Sequence, residues 1–229
     1  MKILRFLFQT KIGHDYPMRL DHVSYATSHE QISDVVNRIG SQIGTSFVDG
    51  GIHPRFGTRN FTAPLLNGQY IEVVCPMDHP ATDSTPFGKA VKKKVEAGGG
   101  WLTWVISTDN IEEIENALGR KSVIGNRKRP DGSELEWKQI GVLDTLEDFQ
   151  KPFFVQWLTK LHPSKDGNAV SGISNVEISG DHNNMATFTK DKLNLEKIKI
   201  EWVNPESNEM DTGIISVSFN HEDSLITIE

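Results

Sequence analysis

Two short stretches, LDHVSYA at residues 20–26 and YIEVV at residues 70–74, decide the fold predicted for this chain. Both are rich in β-branched and aromatic residues, as expected of β-strands whose successive side chains point to opposite faces. His22 lies within the first stretch and Glu72 within the second. A titratable side chain in an otherwise apolar strand is costly to bury unless something pairs with it. We therefore expect the two strands to line a cleft.

The segment between these strands predicts a helix followed by a polar loop. Apolar residues at 32, 35, 36 and 39 fall on one helical face, and Gly40 is expected to end that helix. The loop GGIHPRFGTRN at residues 50–60 combines three glycines with His53, Arg55, Arg59 and Asn60. Such a composition is typical of a binding or catalytic loop and not of a simple connection.

The composition excludes several classes of function. A chain of 229 residues with 37% hydrophobic residues is long enough to bury one large core or two small ones. Its formal net charge of −7 argues against nucleic-acid binding, which needs a concentrated basic face. No apolar run approaches the length of a membrane span. The single cysteine, Cys75, suits a reducing compartment and is expected in the core, so we predict a cytoplasmic protein.

Residues 1–17 lie outside the pattern that begins at Met18. Their apolar part is interrupted by Arg5 and is not followed by a small-residue cleavage site, which argues against a signal peptide. Two interpretations remain open. The segment is either a frayed N-terminal extension or an upstream start that precedes the true initiator Met18.

The order of predicted elements repeats along the chain. A β-α-β-β-β unit over residues 18–98 is followed by a second over 100–160, and residues 170–229 give a third, similar unit. Alignment of the strands places Trp104 where His22 stands in the first unit, and Gln156 where Glu72 stands. The separations between the two aligned pairs are nearly equal, as duplicated modules require.

The combination of DHVSYA, GGIHPRFGTRN, YIEVVCP and PFFVQWL resembles the glyoxalase-like domain family of the vicinal oxygen chelate superfamily. That superfamily includes glyoxalase I, extradiol dioxygenases and bleomycin-resistance proteins, and the resemblance covers roughly residues 19–180. It implies an α+β fold in which paired βαβββ modules form a strongly curved, cup-like mixed sheet with flanking helices. The third module would follow this pair.

The resemblance also implies a divalent metal inside the cup, held by the first and last strands of each module. The matching positions are His22, Glu72, Trp104 and Gln156, of which only the first two are good ligands. A pair of nitrogen and oxygen donors suits Zn, Fe, Mn or Ni. The alternative is that His22 and Glu72 form a buried, metal-free hydrogen-bonded pair.

Proton transfer in such a site is expected to involve His53 and Glu72. Arg55 and Arg59 would clamp an anionic group of the substrate, and Asn60 would orient His53 or contact the ligand. The alternatives are that His53 only hydrogen-bonds backbone in a tight turn and that Asn60 only satisfies the end of a strand.

Three further side chains, Trp104, Gln156 and Trp157, are predicted to contact a substrate. The tryptophans would make the cup apolar and favour a hydrophobic or planar ligand, although simple core packing is the alternative for each of them.

Two classes of function follow. The first is an enzyme of the chelate type, a lyase, isomerase or ring-cleaving oxygenase that acts on a small organic molecule. The second is a metal-free protein that binds or sequesters a small molecule. The third module leaves a sheet edge open, so residues 172–229 are expected either to pack over the cup or to mediate a homodimer.

Overall fold

The structure is a computed structural model that describes residues 18–189, 198–205 and 211–229. The two interpretations of residues 1–17 lie outside these ranges. No helix within them is long and apolar enough to cross a membrane.

The first module is built from one helix and four strands: β1 (Arg19–Ala26), α1 (Ile32–Ile43), β2 (Val48–His53), β3 (Thr58–Leu65) and β4 (Gln69–Pro76). Two connecting helices follow, α2 (Pro80–Ser84) and α3 (Pro86–Glu96). The second module repeats the order with one added helix before its last strand: β5 (Gly100–Ser107), α4 (Ile111–Leu118), β6 (Val123–Lys128), β7 (Glu134–Ile140), α5 (Val142–Glu147) and β8 (Phe153–Trp157).

The eight strands form a closed barrel in the order β1-β4-β3-β2-β6-β7-β8-β5. In each module the first strand is parallel to the last, β1 to β4 and β5 to β8. The modules meet twice, where β1 pairs with β5 and where β2 pairs with β6. The predicted α+β fold of tandem βαβββ modules with a strongly curved mixed sheet is confirmed, and the curvature is strong enough to close the sheet.

A glycine makes the β2–β6 seam possible. Gly51 has a φ of +91°, and a Cβ atom added there would lie 1.8 Å from the carbonyl oxygen of Lys128. Only a residue without a side chain fits so close to the facing backbone. Closure of the barrel between the modules therefore depends on this glycine.

Helix α1 ends one turn later than the sequence pattern predicts. Gly44, with a φ of +66°, terminates it in the left-handed conformation typical of helix ends. Gly40 has a different role, because a Cβ atom there would lie 2.7 Å from the carbonyl oxygen of Thr45. The glycine predicted to stop the helix instead allows the following loop to approach it.

The C-terminal unit forms a separate four-stranded sheet. Its elements are β9 (Ser171–Ser179), α6 (His182–Thr189), β10 (Lys199–Val203), β11 (Gly213–His221) and β12 (Ser224–Ile228), and the strand order is β10-β9-β11-β12. The order of elements follows the expected β-α-β-β-β pattern. The pairing differs from that of the two modules, because β9 is parallel to the next strand, β10, and antiparallel to β11.

This second sheet packs against the outer side of the barrel. The indole Nε1 of Trp101 on β5 donates to the carbonyl oxygen of Ile228, 2.8 Å away, and Trp104 makes an edge contact with Trp202. Apolar residues of both sheets belong to one buried cluster. The packing covers the outer face of β5 and leaves the barrel cavity to the strands of the two modules.

Candidate functional site

A cavity of about 400 Å³, including the space at its open mouth, lies among strands of both modules. One part of its lining is polar and the other is apolar and largely aromatic. The polar residues are His22, His53, Asn60, Tyr70, Glu72, Arg127 and Gln139, and the apolar ones are Phe56, Phe87, Trp137, Phe153, Val155 and Trp157. The cavity thus offers titratable groups beside an aromatic wall.

The carboxylate of Glu72 lies at the centre of the polar part. The hydroxyl of Ser24, its register partner on β1, donates to Oε2 at 2.5 Å, and the amide of Asn60 on β3 donates to Oε1 at 2.6 Å. Burial raises the pKa of Glu72, but the nearby His22 and His53 and these two hydrogen bonds outweigh it and lower the pKa below its ordinary value. Glu72 is therefore ionised at neutral pH.

His22 presents one ring nitrogen to Glu72. Its Nδ1 lies 2.9 Å from Oδ1 of Asp21, and its Nε2 lies 4.0 Å from Oε2 of Glu72. An ionised carboxylate only accepts hydrogen bonds, so Nδ1 carries the proton and donates to Asp21. The ring also stacks on Tyr70, with centroids 4.3 Å apart. Both contacts fix the direction of Nε2.

Asp21 is fully buried and receives three donors. Besides His22, the indole of Trp157 donates to Oδ2 at 3.0 Å and the Nε2 of His162 donates to it at 3.3 Å. Burial by itself raises the pKa of Asp21, but the hydrogen bonds from His162 and His22 and the charges of both rings outweigh it and hold the pKa well below its usual range. A histidine backed by a carboxylate in this way is a common feature of metal-ligating histidines.

His53 approaches Glu72 from the other side. Its Nε2 lies 4.0 Å from Oε1 of Glu72 and 3.5 Å from the amide nitrogen of Asn60, while its Nδ1 lies 2.8 Å from the hydroxyl of Thr58. Because the amide of Asn60 is a donor, Nε2 is the accepting nitrogen and Nδ1 carries the proton. Burial lowers the pKa of His53 to about 4, although the charge of Glu72 acts against that shift. The imidazole is therefore neutral at neutral pH.

Trp104 and Gln156 lie outside the cavity. Trp104 pairs with Val23 on β1, and both belong to the core between the barrel and the second sheet, whereas Val105 is the residue opposite His22. Gln156 alternates with cavity-lining neighbours on β8 and points away from them. Its side chain donates to the carbonyl oxygen of Asp109 at 2.9 Å. Neither side chain reaches Glu72.

The two loop arginines also lie outside the cavity. Arg55 is exposed in the turn after β2. Arg59 forms an ion pair with Asp49 and lies over the ring of Phe61. The strand alternation that directs Asn60 inward directs Arg59 outward. Of the candidate substrate contacts, Asn60 and Trp157 line the cavity.

The lining residues that sequence reasoning missed include Tyr70, Arg127 and Trp137. Tyr70 could have been found, because it stands two positions before Glu72 on the same strand and therefore shares its face. Arg127 and Trp137 come from β6 and β7, and only closure of the barrel brings them near Glu72.

The donor chemistry of the cavity fits a divalent cation held by two protein side chains. Nε2 of His22 and the carboxylate of Glu72 are a nitrogen and an oxygen donor of the kinds that Zn, Fe, Mn and Ni accept. Among the residues described, no group of three or more His, Cys, Asp or Glu side chains is arranged to hold a metal ion. The remaining positions on such a cation would be open to water or substrate.

Comparison with known proteins identifies the class. The model of the glyoxalase-like domain family matches residues 20–193, and the chain belongs to that family. No curated protein sequence matches it at a significant level.

Comparison with solved structures agrees on the fold. A crystal structure of a hypothetical protein from Staphylococcus aureus is similar at 17% identity with a TM-score of 0.64, and the match covers 91% of this chain and 93% of that one. Methylmalonyl-CoA epimerases are more distant. The Mycobacterium tuberculosis enzyme has a TM-score of 0.40 and 14% identity over 61% of this chain and 86% of its own. A Streptomyces coelicolor epimerase in complex with 2-nitronate-propionyl-CoA has a TM-score of 0.41 and 14% identity over 62% and 95%.

Proposed function

We propose that this glyoxalase-like protein acts on a small organic molecule in the barrel cavity and moves a proton at a carbon next to a carbonyl group, as a lyase or isomerase. One observation carries the proposal. The Nε2 atoms of His22 and His53 each lie 4.0 Å from a different oxygen of the Glu72 carboxylate, inside a buried cavity. Two imidazole nitrogens that face one carboxylate at this distance can hold a cation, a proton or a donor group of a ligand between them.

His53 is the proposed proton acceptor. Its neutral imidazole offers Nε2 to the cavity, and the hydroxyl of Thr58 holds the ring through Nδ1. A proton that leaves the substrate carbon for Nε2 creates an imidazolium beside the carboxylate of Glu72, which stabilises it electrostatically. Return of the proton to the same or a neighbouring carbon completes an exchange or an isomerisation.

His22 and Glu72 would hold a divalent cation as part of this proposal. Such an ion, when bound, polarises a carbonyl oxygen and stabilises negative charge that develops on it. The Asp21 carboxylate supports the assignment by keeping the proton of His22 on Nδ1 and Nε2 free.

Metal-free binding of an apolar molecule is the second candidate. It is favoured by the aromatic wall, in which Trp137 stands 5.4 Å from Trp157 and 6.4 Å from Phe56 between ring centroids. Trp104 and Gln156 lie outside the cavity and supply it with no metal ligand, which points the same way. This candidate requires affinity without turnover.

Proton exchange separates the two candidates. A panel of dicarbonyls, hydroxyketones and oxo acids is incubated in D2O with added Zn, Mn, Fe or Ni, and loss of the α-proton signal is followed by NMR. We expect exchange with the wild type, a loss of at least about 100-fold in Glu72→Gln and His53→Gln, and no change in Glu136→Gln on the exposed side of β7. Absence of exchange with every compound, together with quenching of tryptophan fluorescence by some of them, would instead support the binding protein.

A cytoplasmic location and a homodimer belong to the same proposal. The buried single thiol of Cys75 supports a reducing compartment. Within the described residues, the outer strands β10 and β12 of the second sheet pair on one side only and leave edges for a second copy. Light scattering on the purified full chain tests the dimer, which a monomer at all concentrations would contradict.

A further inference from the structure

Arg127 is a buried cation with unused hydrogen-bond donors. Arg127 is 2% exposed and lines the cavity. Its Nε and Nη2 atoms donate to no partner among the residues that the structure describes. A guanidinium keeps its charge even when buried. A buried charge with two unpartnered nitrogen atoms is unfavourable unless a ligand supplies the partner.

One end of the guanidinium is fixed by the barrel. Nη1 donates to the side-chain oxygen of Asn60 at 3.3 Å. It also occupies the space beside Gly50, where an added Cβ atom would lie only 2.8 Å from it. An asparagine of the facing module thus binds this end of the group, and a glycine of the same module leaves room for it.

The two unpartnered nitrogen atoms have the geometry of a carboxylate receptor. In a guanidinium the N–H of Nε and one N–H of Nη2 lie on the same edge and point in parallel. This edge matches the two oxygens of a carboxylate, which it binds through two parallel hydrogen bonds. The same edge can also pair with two oxygens of a phosphate, so binding experiments must distinguish the two anions.

We infer that Arg127 binds the carboxylate of the ligand, so that the substrate class is an organic acid with an apolar, planar body. The inference rests on the proposed function in that the substrate occupies this cavity. Asn60 connects the two halves of the site, since it accepts from Arg127 and donates to Glu72 at 2.6 Å. A carboxylate bound at Arg127 leaves the rest of the molecule between Glu72 and the aromatic wall formed by Phe56, Phe87, Trp137 and Trp157.

The test compares acids with their neutral isosteres. Calorimetry measures binding of phenylacetate, phenylpyruvate, phenylacetamide and inorganic phosphate to the wild type and to Arg127→Gln, Arg127→Lys and Lys128→Gln. Lys128 is the matched control, because it follows Arg127 on the same strand, carries the same charge and is exposed. Thermal unfolding of each variant checks the fold.

We expect at least one acid to bind the wild type about 30-fold or more tightly than the amide, since an unpaired buried charge is costly. Arg127→Gln should abolish the preference, Arg127→Lys should keep only part of it, and Lys128→Gln should keep it all. The inference is overturned if acids and amides bind equally, if no acid binds, if phosphate binds more tightly than the acids, or if a folded Arg127→Gln keeps the preference.

Failure of the two proposals can be told apart. A preference for acids that persists in Glu72→Gln, without proton exchange in the wild type, would leave the carboxylate receptor standing and refute the proposed chemistry. Proton exchange on neutral carbonyl compounds, with no preference for acids, would support the proposed chemistry and refute the carboxylate receptor.

Discussion

Replacement of Asp21 by asparagine tests whether the buried network behind His22 organises the site. The carboxylate of Asp21 is fully buried and accepts hydrogen bonds from His22, Trp157 and His162 at 2.9–3.3 Å. Asparagine has nearly the same shape but no charge and a single accepting oxygen. At least one of the three donors would therefore face an N–H group in place of an oxygen.

The expected decrease in the free energy of unfolding follows from the number of hydrogen bonds that are lost. A hydrogen bond to a charged group contributes about 1.5–3 kcal/mol, and breaking a buried charged network costs about 3–5 kcal/mol. We therefore expect Asp21→Asn to lower the free energy of unfolding by about 3–5 kcal/mol. For a chain of this size that corresponds to a decrease in Tm of about 10 °C.

The effect also has a defined pH dependence. The folded-state pKa of Asp21 is well below its usual range. The carboxylate therefore stabilises the fold at pH values above about 4, the ordinary value of an aspartate, and that stabilisation is lost as the pH falls from there toward the folded-state pKa. The difference between wild type and Asp21→Asn should be full at pH 7 and should shrink below about pH 4.

Urea unfolding followed by tryptophan fluorescence measures the difference. Asp109→Asn is the control. The carboxylate of Asp109 is mostly exposed, and its nearest cationic atom, on Arg19, is 4.0 Å away, so the ion pair is weak. The control should unfold near the wild-type midpoint. Equal stability of Asp21→Asn and wild type at pH 7 would refute the assigned network.

Three further predictions concern the barrel and its carboxylate. Gly51→Ala should destabilise the fold by at least about 3 kcal/mol, because it combines a clash at the seam with a left-handed backbone, whereas Gly132→Ala, with a φ of +84° and open space around it, should cost only about 1–2 kcal/mol. Equal midpoints in urea would contradict this. Ser24→Ala should raise the pKa of Glu72, which carboxylate titration by NMR detects. Burial raises the pKa of Cys75 to about 11, so a thiol reagent at pH 8 should modify the native protein slowly and the unfolded chain at once; rapid native modification would contradict the buried placement.

Strand alternation in the sequence predicted which side chains of the first module share a cavity. Alternation within single strands is a local property, and it was enough to direct His22 and Glu72 toward a common cleft. The loop composition directed attention to His53 and Asn60, which line the same cavity. These residues are close to one another in one module, so no pairing between modules had to be known.

Register between modules could not be read from the sequence. Alignment of the repeats placed Trp104 at the position of His22, but the β1–β5 pairing sets Trp104 opposite Val23 and Val105 opposite His22. A shift of one residue in a strand moves the side chain to the other face. Arg127 was missed for a related reason, since it reaches Asn60 only because β6 pairs with β2 at the seam.

We propose that His22 and Glu72 hold a divalent cation in the cavity, and the metal content of the purified protein tests this proposal. Protein purified without an affinity tag is compared as wild type, His22→Ala and His29→Ala, the last being an exposed histidine on the loop after β1. We predict near-stoichiometric divalent metal in the wild type and in His29→Ala, and its loss in His22→Ala. Metal content that His22→Ala retains would contradict the claim. So would negligible metal in all three proteins, with no rise in Tm when Zn, Mn, Fe or Ni is added.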